Sequence, residues 1–461
     1  MLSHTLRAWM PLAAMLLVCG GCDSFTEVDL PSSQLAAPDV FEDKATATAA
    51  MTEIYSSIRE RGMLTGYPTG APFLLSLYTD ELEYYGTPTT GAANFYNNAI
   101  LPSGSEISEL LTASFSQVYA ANAVIEGVAG SASMEQADRD QLTGEALFVR
   151  ALLHLYLVNS FGAIPYVKTT DYEVNKSVLR MDETAVYAQI REDLTRAAQL
   201  LSDAYPTPER VRPNKSACMA LMARVYLYQE DWQEAVQSAS YVIGQTGVYT
   251  LGDAPETVFL KDSPSTIWQL MPAYEGSNTY EGSIFIFEQG PPPTAALTAT
   301  LVNAFEAIDL RKAAWLREVT DGTDTWYHSY KYREGSNTGS SVEYSVILRM
   351  AELYLIRAEA RIHTGDLDGA IADINVIRNF AGLPDTGGGS PDTLMDEVVR
   401  QRQLELFTEA GHRFFDLKRL GLLNSTLSPV KTGWNTYNSL LPLPESELLL
   451  NPNLAPQNEG Y

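Results

Sequence analysis

The chain has 461 residues, with 31 basic and 57 acidic side chains and a formal net charge of −26. A nucleic-acid-binding protein needs a basic surface for phosphate groups, so this composition excludes that class. The acidity also disfavours adhesion of the folded body to anionic lipid.

The N-terminal segment has the features of an export signal. Arg7 precedes an apolar run of eleven residues, 8–18, and two glycines follow it. A helix of that length is about 16 Å long, which is too short for a hydrocarbon core of about 30 Å. A charged start, a short apolar run and small residues are typical of a cleaved signal peptide. We therefore predict a signal peptide at residues 1–21.

Cys22 comes directly after the two glycines, and this arrangement resembles the bacterial lipoprotein box. In that signal, the thiol receives a diacylglycerol, the chain is cut before the cysteine, and the new amine is acylated. The box usually has Leu three places earlier, where this chain has Cys19, and a plain secretory signal is the alternative. Two or three acyl chains hold a protein at a membrane without a transmembrane helix. We predict lipidation at Cys22 and a flexible tether over 22–40.

Helical periodicity recurs along the chain, and one helical pattern occurs twice. Residues 220–243 and 355–378 align at an offset of 135, with alanines and larger apolar residues at matching positions. Alanines at facing positions let antiparallel helices approach closely, while larger residues at i, i+3 and i+4 face the next hairpin. This pattern is typical of tetratricopeptide hairpins. Because one hairpin cannot bury its own apolar face, at least three are expected.

Further helical segments extend this array. Residues 145–162 have the pattern of a first helix, and 185–201 form its expected partner. A fourth hairpin is expected near 45–58 or 114–128, and a final helix over 395–420. The sequence therefore predicts a mostly α-helical fold with about four tetratricopeptide-like hairpins, arranged as a superhelix with a loop-rich insertion.

Two long stretches, 70–105 and 250–345, have no helical period and are rich in Gly, Pro, Ser, Thr, Asn and Tyr. Long stretches of this kind in a compact domain are usually functional, and binding residues commonly lie on loops that a rigid scaffold supports. We therefore divide the mature chain into an N-terminal helical half (41–245), a loop-rich ligand-facing region (246–343) and a C-terminal helical region (344–461).

Sugar rings stack their C–H faces on aromatic rings, while their hydroxyls pair with polar groups. Three loop segments combine aromatic and polar side chains in this way: 78–98, 274–282 and 324–337. The predicted ligand-binding residues are Tyr84, Tyr85, Tyr96, Asn97, Tyr274, Tyr280, Trp326 and Tyr327. The tyrosines favour a carbohydrate ligand. A peptide would use the same groove with more backbone pairing.

Five segments occur in a characteristic order: EALFVRALLHLYLVNSFGAIPYV, VILRMAELYLIRAEA, INVIRNFAGLP, ELFTEAGHRFFDLKRLG and LPLPESELLLNPNLAPQNEGY. Together they resemble the SusD/RagB family, from the lipoprotein box to Tyr461. The resemblance implies an outer-membrane lipoprotein that binds nutrients at the cell surface, commonly glycans and sometimes peptides. It also implies a position as a lid over a SusC-like, TonB-dependent β-barrel transporter.

The charged residues of these motifs are predicted to be structural. Arg349 and Glu352 are three residues apart on one predicted helix and can pair with each other or cap neighbouring elements. A second charged group lies within two turns of the final predicted helix: Glu409, His412, Arg413 and Asp416. A histidine among carboxylates suggests acid–base chemistry, but we favour a hydrogen-bonded structural network.

The sequence contains no H-E-x-x-H, no G-x-S-x-G, no Gly-rich phosphate loop and no paired cysteine set. Its histidines have no metal-ligand spacing. A glycosidase needs only two carboxylates about 5–10 Å apart, and 57 acidic residues leave that open, but no pair stands out. We expect a binding protein that is not an enzyme and has no cofactor. The alternatives are a surface glycoside hydrolase, a peptide-binding RagB-like protein and a tetratricopeptide scaffold that binds only protein.

Overall fold

The computed structural model describes residues 40–335 and 337–461. The predicted signal peptide, the lipidation site at Cys22 and all but the last residue of the predicted tether lie outside these ranges. Within them, no helix has both the length and the apolar character needed to cross a bilayer.

Helices dominate the described part of the chain. They are α1 (Lys44–Glu60), α2 (Ala71–Tyr78), α3 (Gly91–Tyr96), α4 (Ser105–Gly130), α5 (Gln136–Phe161), α6 (Tyr172–Asn175), α7 (Glu183–Leu200), α8 (Lys215–Tyr228), α9 (Trp232–Ile243), α10 (Tyr280–Phe285), α11 (Ala299–Ala304), α12 (Leu310–Trp315), α13 (Met350–Thr364), α14 (Leu367–Phe380), α15 (Pro391–Leu406), α16 (His412–Arg419), α17 (Leu423–Leu427) and α18 (Glu445–Leu450).

The long helices form a continuous array in which each packs against the next. The order of contact is α1, α4, α5, α7, α8, α9, α13 and α14, and α15 packs against the last two. The predicted hairpins correspond to the pairs α5–α7, α8–α9 and α13–α14, and the fourth is formed by α1 and α4. The prediction of a mostly α-helical fold with stacked hairpins is confirmed.

Small residues explain how closely the repeated hairpins pack. The alanines that match between the two repeats are completely buried: Ala223, Ala235, Ala358 and Ala370. The turn between α13 and α14 uses Gly365 in a left-handed conformation with φ of 83°, which a side chain would strain. Asp366 then accepts a hydrogen bond from the backbone N–H of Gly369 and caps α14.

The strands are short and lie in the regions between the hairpins. They are β1 (Leu82–Tyr84), β2 (Thr266–Leu270), β3 (Ala295–Leu297), β4 (Leu316–Thr320), β5 (Thr325–Ser329) and β6 (Ser345–Arg349). Across the described ranges they pair as three antiparallel two-stranded sheets, β1 with β3, β2 with β6, and β4 with β5.

One hydrophobic cluster contains side chains from all three predicted parts of the chain, for example Met51, Leu221, Trp268 and Ile356. The loop-rich region is therefore packed onto the helical array and shares its core. The boundaries that we placed at 245 and 343 stay predictions.

The final predicted helix, 395–420, is wrong in its extent. The chain forms two helices here, because α15 ends at Leu406 and α16 begins at His412. Three residues between them have a left-handed backbone, with φ of 54°, 45° and 75°: Thr408, Ala410 and Gly411. A right-handed helix cannot continue through such residues.

The stretches 70–105 and 250–345, which show no helical period in the sequence, contain short regular elements. The first stretch contains α2, β1 and α3, and the second contains three short helices and most of the strands. These elements have three to eight residues, which is too short for a period of 3.6 or 2 to show in the sequence.

Candidate functional site

An aromatic groove lies where β1, β3 and the β4–β5 hairpin meet, and it has a volume of about 490 Å³. We use the name aromatic groove for the surface that includes Glu83, Tyr85, Asn303, Asp324, Trp326 and Tyr327. It brings together residues from two of the three predicted ligand-binding segments, 78–98 and 324–337. Aromatic rings beside polar side chains in a concave surface are the features that a sugar site requires.

Backbone pairing positions Tyr85 at the end of β1. The N–H groups of Tyr85 and Gly86 both donate to the carbonyl oxygen of Thr294, at 2.8 and 3.1 Å. The ring is 37% exposed, and its hydroxyl donates to the Glu83 carboxylate at 3.1 Å. Partial burial and the negative charge of Glu83 raise the pKa of Tyr85, so its phenol keeps its proton at neutral pH.

Trp326 and Tyr327 are consecutive residues of β5, and both rings are half-buried. Both residues contribute to the lining of the groove. Tyr327 lies opposite Glu318 in the register, and its hydroxyl donates to that carboxylate at 2.6 Å. This hydrogen bond raises the pKa of Tyr327 and fixes the direction of its ring.

The indole of Trp326 rests against the bare backbone of Gly290. A Cβ atom at that position would lie only 2.0 Å from Cζ3 of the indole. Real Cβ contacts are never this close, so the ring occupies space that only a glycine leaves free. The segment that leads into β3 thus forms part of the support for the groove.

Tyr84, Tyr96 and Asn97 are outside the described lining of the aromatic groove. The Tyr84 hydroxyl lies 2.7 Å from Oγ1 of Thr90, and its ring centroid is 6.3 Å from that of Tyr96. The ammonium of Lys431 lies 4.0 Å from the Tyr96 ring centroid. Both tyrosines are half-buried and stabilise the loop that carries Tyr85, whereas Asn97 is exposed at the end of α3.

The third predicted segment forms a separate cavity of about 170 Å³, which shares no described lining residue with the aromatic groove. Tyr280 stacks on Tyr67 with 3.8 Å between ring centroids, and its hydroxyl donates to Glu60 at 2.8 Å. Tyr274 is 62% exposed at the mouth of this cavity. Its small volume suits a single small group better than a sugar chain.

A third concave surface is more apolar and contains none of the predicted ligand-binding residues. It has a volume of about 380 Å³ and lies between α4 and α18, with Phe115, Tyr119 and Leu450 in its lining. A sugar needs several polar partners to fix its orientation, which favours the aromatic groove as the candidate site.

Sequence reasoning did not identify three polar residues of the groove. Glu83 and Asp324 lie inside the predicted segments. Each is two residues before an aromatic residue of the groove, Tyr85 or Trp326, and this same-face spacing of an extended chain was the available signal. Asn303 lies on α11, outside every predicted segment, and only the pairing of β1 with β3 brings it near.

The motif charges form buried ion pairs. Arg349 and Glu352, which we expected to pair with each other or to cap neighbouring elements, each pair with other residues. Arg349 lies at the end of β6, before α13 begins, and donates to Glu405 at 2.7 Å and to Glu409 at 2.8 Å. Glu352 instead pairs with Arg224 at 2.6 Å. The partners come from distant segments because the strand directs Arg349 away from the helix.

The second charged group also pairs within the protein. Arg413 binds Asp80 at 2.7 Å, and Asp416 binds Arg402 at 2.7 Å. Burial lowers the pKa of His412 to about 4, and the nearby positive charges contribute, so its ring is neutral at physiological pH. Glu409 precedes α16 rather than lying on the same helix, which corrects our prediction for that residue. These contacts support a structural network.

No group of three or more His, Cys, Asp and Glu side chains within 40–335 and 337–461 is arranged to hold a metal ion.

Comparison with known families identifies two matching models. A model described as starch-binding and associating with the outer membrane matches residues 83–227, and the SusD family model matches residues 306–461. Among similar proteins, SusD-like protein P2 of Formosa agariphila is 27% identical over 97% of this chain and 98% of its own length. SusD-like protein P25 of the same organism is 22% identical with the same coverage of both chains.

Solved structures show the same architecture. A SusD superfamily protein of Bacteroides vulgatus has a TM-score of 0.80 at 22% identity, over 91% of this chain and 100% of its own. A laminarin-binding SusD-like protein has a TM-score of 0.77 at 24% identity, with the same coverage. A SusD-like carbohydrate-binding protein of Bacteroides fragilis has a TM-score of 0.77 at 19% identity, over 90% of this chain and 100% of its own. At these identities the likeness establishes a shared fold.

Proposed function

This chain belongs to the SusD family, and on that premise we propose that it is a cell-surface lipoprotein that binds a nutrient oligosaccharide or polysaccharide. We propose further that it passes the glycan to a SusC-like, TonB-dependent transporter in the outer membrane. The observation that carries the proposal is the aromatic groove, where exposed rings and polar side chains from distant segments meet.

The groove has the chemistry for holding a sugar. Trp326 offers a broad ring for the C–H face of a sugar, and Tyr85 and Tyr327 offer smaller rings whose hydroxyls are already fixed by carboxylates. Glu83 and Asp324 accept hydrogen bonds, and Asn303 both donates and accepts them. We assign Tyr84 and Tyr96 a supporting role, because their contacts hold the Tyr85 loop.

Two comparisons support the ligand class and the location. One structural relative is described as laminarin-binding, and one matching family model is described as associating with the outer membrane. A lipid on Cys22 would hold the chain at that membrane, and the SusC-like transporter is the partner that the family resemblance implies. A binding protein needs affinity and release rather than catalysis, which agrees with a groove built from stacking surfaces.

The test is glycan binding by the purified mature protein, measured by isothermal titration against laminarin, starch, dextran and a peptide mixture. Stacking contributes about 0.5–1.5 kcal/mol beyond buried area, so Trp326→Ala is expected to weaken glycan affinity at least about threefold. Tyr119→Ala is the matched control, because Tyr119 is an exposed aromatic on α4, outside the groove.

Unchanged glycan affinity in both Trp326→Ala and Tyr85→Ala would show that the groove is not the binding site. A loss of glycan affinity in Tyr274→Ala alone would indicate that the binding site is the smaller cavity. Binding of peptide but of no glycan would support the RagB-like alternative. New reducing ends released from a glycan during the titration would support a hydrolase instead.

A further inference from the structure

The charge of the aromatic groove has one sign. Its described lining contains two charged side chains, Glu83 and Asp324, and both are acidic and exposed. A third carboxylate, Glu318, lies beside the groove, where it accepts the hydrogen bond of Tyr327. A ligand in the groove therefore meets carboxylates on two sides, from β1 and from the β4–β5 hairpin.

The basic side chains on the neighbouring elements lie outside the described lining of the groove. Lys431 is buried, and its ammonium donates to the carbonyl oxygen of Leu77 at 2.6 Å. The guanidinium groups of Arg317 and Arg333 lie 5.7 and 5.3 Å from the ring centroid of Tyr330. Lys431 interacts electrostatically with Glu83, but none of these three side chains belongs to the described lining of the groove.

The hydrogen-bonding groups of the groove also disfavour an anionic ligand. An ionised carboxylate only accepts hydrogen bonds, and the Tyr85 and Tyr327 hydroxyls already donate theirs to Glu83 and Glu318. The groove therefore offers mainly acceptors, which pair with sugar hydroxyls. A sugar carboxylate or sulfate would bring a second acceptor and a like charge, and would find no cation to pair with in the described lining.

We propose that the aromatic groove selects uncharged glycans and that Glu83 and Asp324 exclude uronic-acid and sulfated polysaccharides. This inference rests on the proposed function, because it concerns the same site. It narrows the substrate class from glycans in general to neutral ones. The overall charge of −26 also repels anionic polysaccharides at longer range.

The experiment compares neutral and anionic forms of the same backbone. Laminarin, starch and dextran are each titrated beside their sulfated derivatives, and alginate is included as a natural uronic-acid polymer. For each backbone that binds, the mature wild-type protein is expected to bind the neutral form at least tenfold more tightly. Raising the salt concentration should reduce this ratio, because salt screens exposed charges.

Sulfation also changes the shape of a sugar. The decisive measurement is therefore how the ratio of neutral-glycan affinity to anionic-glycan affinity changes when the groove charges are removed. The double variant Glu83→Gln, Asp324→Asn removes both charges with little change in shape, and its neutral-to-anionic ratio is expected to fall at least fivefold. The control variant Glu53→Gln, Asp253→Asn changes the net charge equally at two exposed positions outside the groove lining, and should keep the wild-type ratio. Circular dichroism melting curves check that both variants fold.

The outcomes separate the two proposals. Equal or tighter wild-type binding of an anionic form, or an unchanged ratio in the groove variant, overturns the selection of uncharged glycans and leaves glycan binding in place. A ratio that falls equally in both variants also overturns it, because the cause is then the total charge. Binding of neither form of any glycan overturns the proposed function together with this inference.

Discussion

Gly290 shows how a residue without a side chain shapes the aromatic groove. Its backbone lies where a Cβ atom would come within 2.0 Å of the Trp326 indole. A tryptophan ring that is already held in one orientation loses less conformational entropy when a sugar stacks on it, and here the support is a neighbouring backbone. Any larger residue at position 290 has to push the ring away from its present place.

We therefore predict that Gly290→Ala weakens glycan binding about two- to tenfold, because the displaced indole loses much of its stacking contribution. The titration described above measures the change. Gly247→Ala is a matched control, because a Cβ at position 247 meets no described atom within 4 Å. Wild-type affinity in Gly290→Ala would show that the orientation of Trp326 does not matter for binding.

The ion pair between Arg224 and Glu352 joins α8 to α13, two helices of the repeated hairpins. Both side chains are 2% exposed, and two hydrogen bonds of 2.6 and 2.7 Å connect them. Burial alone would raise the pKa of Glu352, but the positive charge and hydrogen bonds of Arg224, together with other nearby charges such as Arg402, lower this pKa below its usual value. The carboxylate is thus ionised inside the core and depends on its partner.

Arg224→Met should lower the free energy of unfolding by about 3–5 kcal/mol, because it leaves the buried Glu352 without its partner. The double variant Arg224→Met, Glu352→Leu should recover most of that loss, since an apolar pair replaces the ion pair. Guanidinium chloride denaturation measures both. Lys168→Met is the control, because its pair with Glu192 is exposed and should contribute less than about 1 kcal/mol. A double variant as unstable as the single one would contradict this account.

The helical array could be predicted from the sequence because its elements are long. Helices such as α5 and α7 have 26 and 18 residues, enough for an apolar stripe to repeat several times. The groove could be predicted only in part. Tyr85 and Trp326 were found by residue type, but β1 has three residues and shows no period.

Contacts between distant segments were the main information that the sequence lacked. Arg349 was recognised as a motif residue, yet its partners Glu405 and Glu409 lie 56 and 60 positions away. The left-handed residues that end α15 belong to the turn that positions Glu409, and helix propensity does not reveal them. Residue types indicated the chemistry, and only tertiary structure could show the pairing.

The helical array and the aromatic groove share one hydrophobic core, because a single cluster includes side chains from both regions. The groove is built from the β1, β3 and β4–β5 segments, and backbone pairing joins β1 to β3 before any ligand arrives. A preformed site has less conformational entropy to lose on binding. This suits the proposed capture of a dilute glycan.

Capture is useful to the cell only if the protein stays at the membrane, which the proposed lipid on Cys22 would ensure. This residue lies outside the part of the chain that the structure describes. We predict that cells grown with a labelled fatty acid label the wild-type protein, and that Cys22→Ala abolishes the label. Two or three acyl chains provide stable attachment, whereas loss of all of them removes it. The variant should therefore also leave the membrane fraction when the membranes are washed free of protein partners.

Cys19→Ala is the matched control for this prediction. Cys19 precedes the predicted cleavage site, so it should leave with the signal peptide and its replacement should not affect labelling of the mature chain. A label that persists in Cys22→Ala would contradict lipidation at this position. An unlabelled wild-type protein that is released from the cell would favour the plain secretory signal, and the glycan would then be captured away from the membrane.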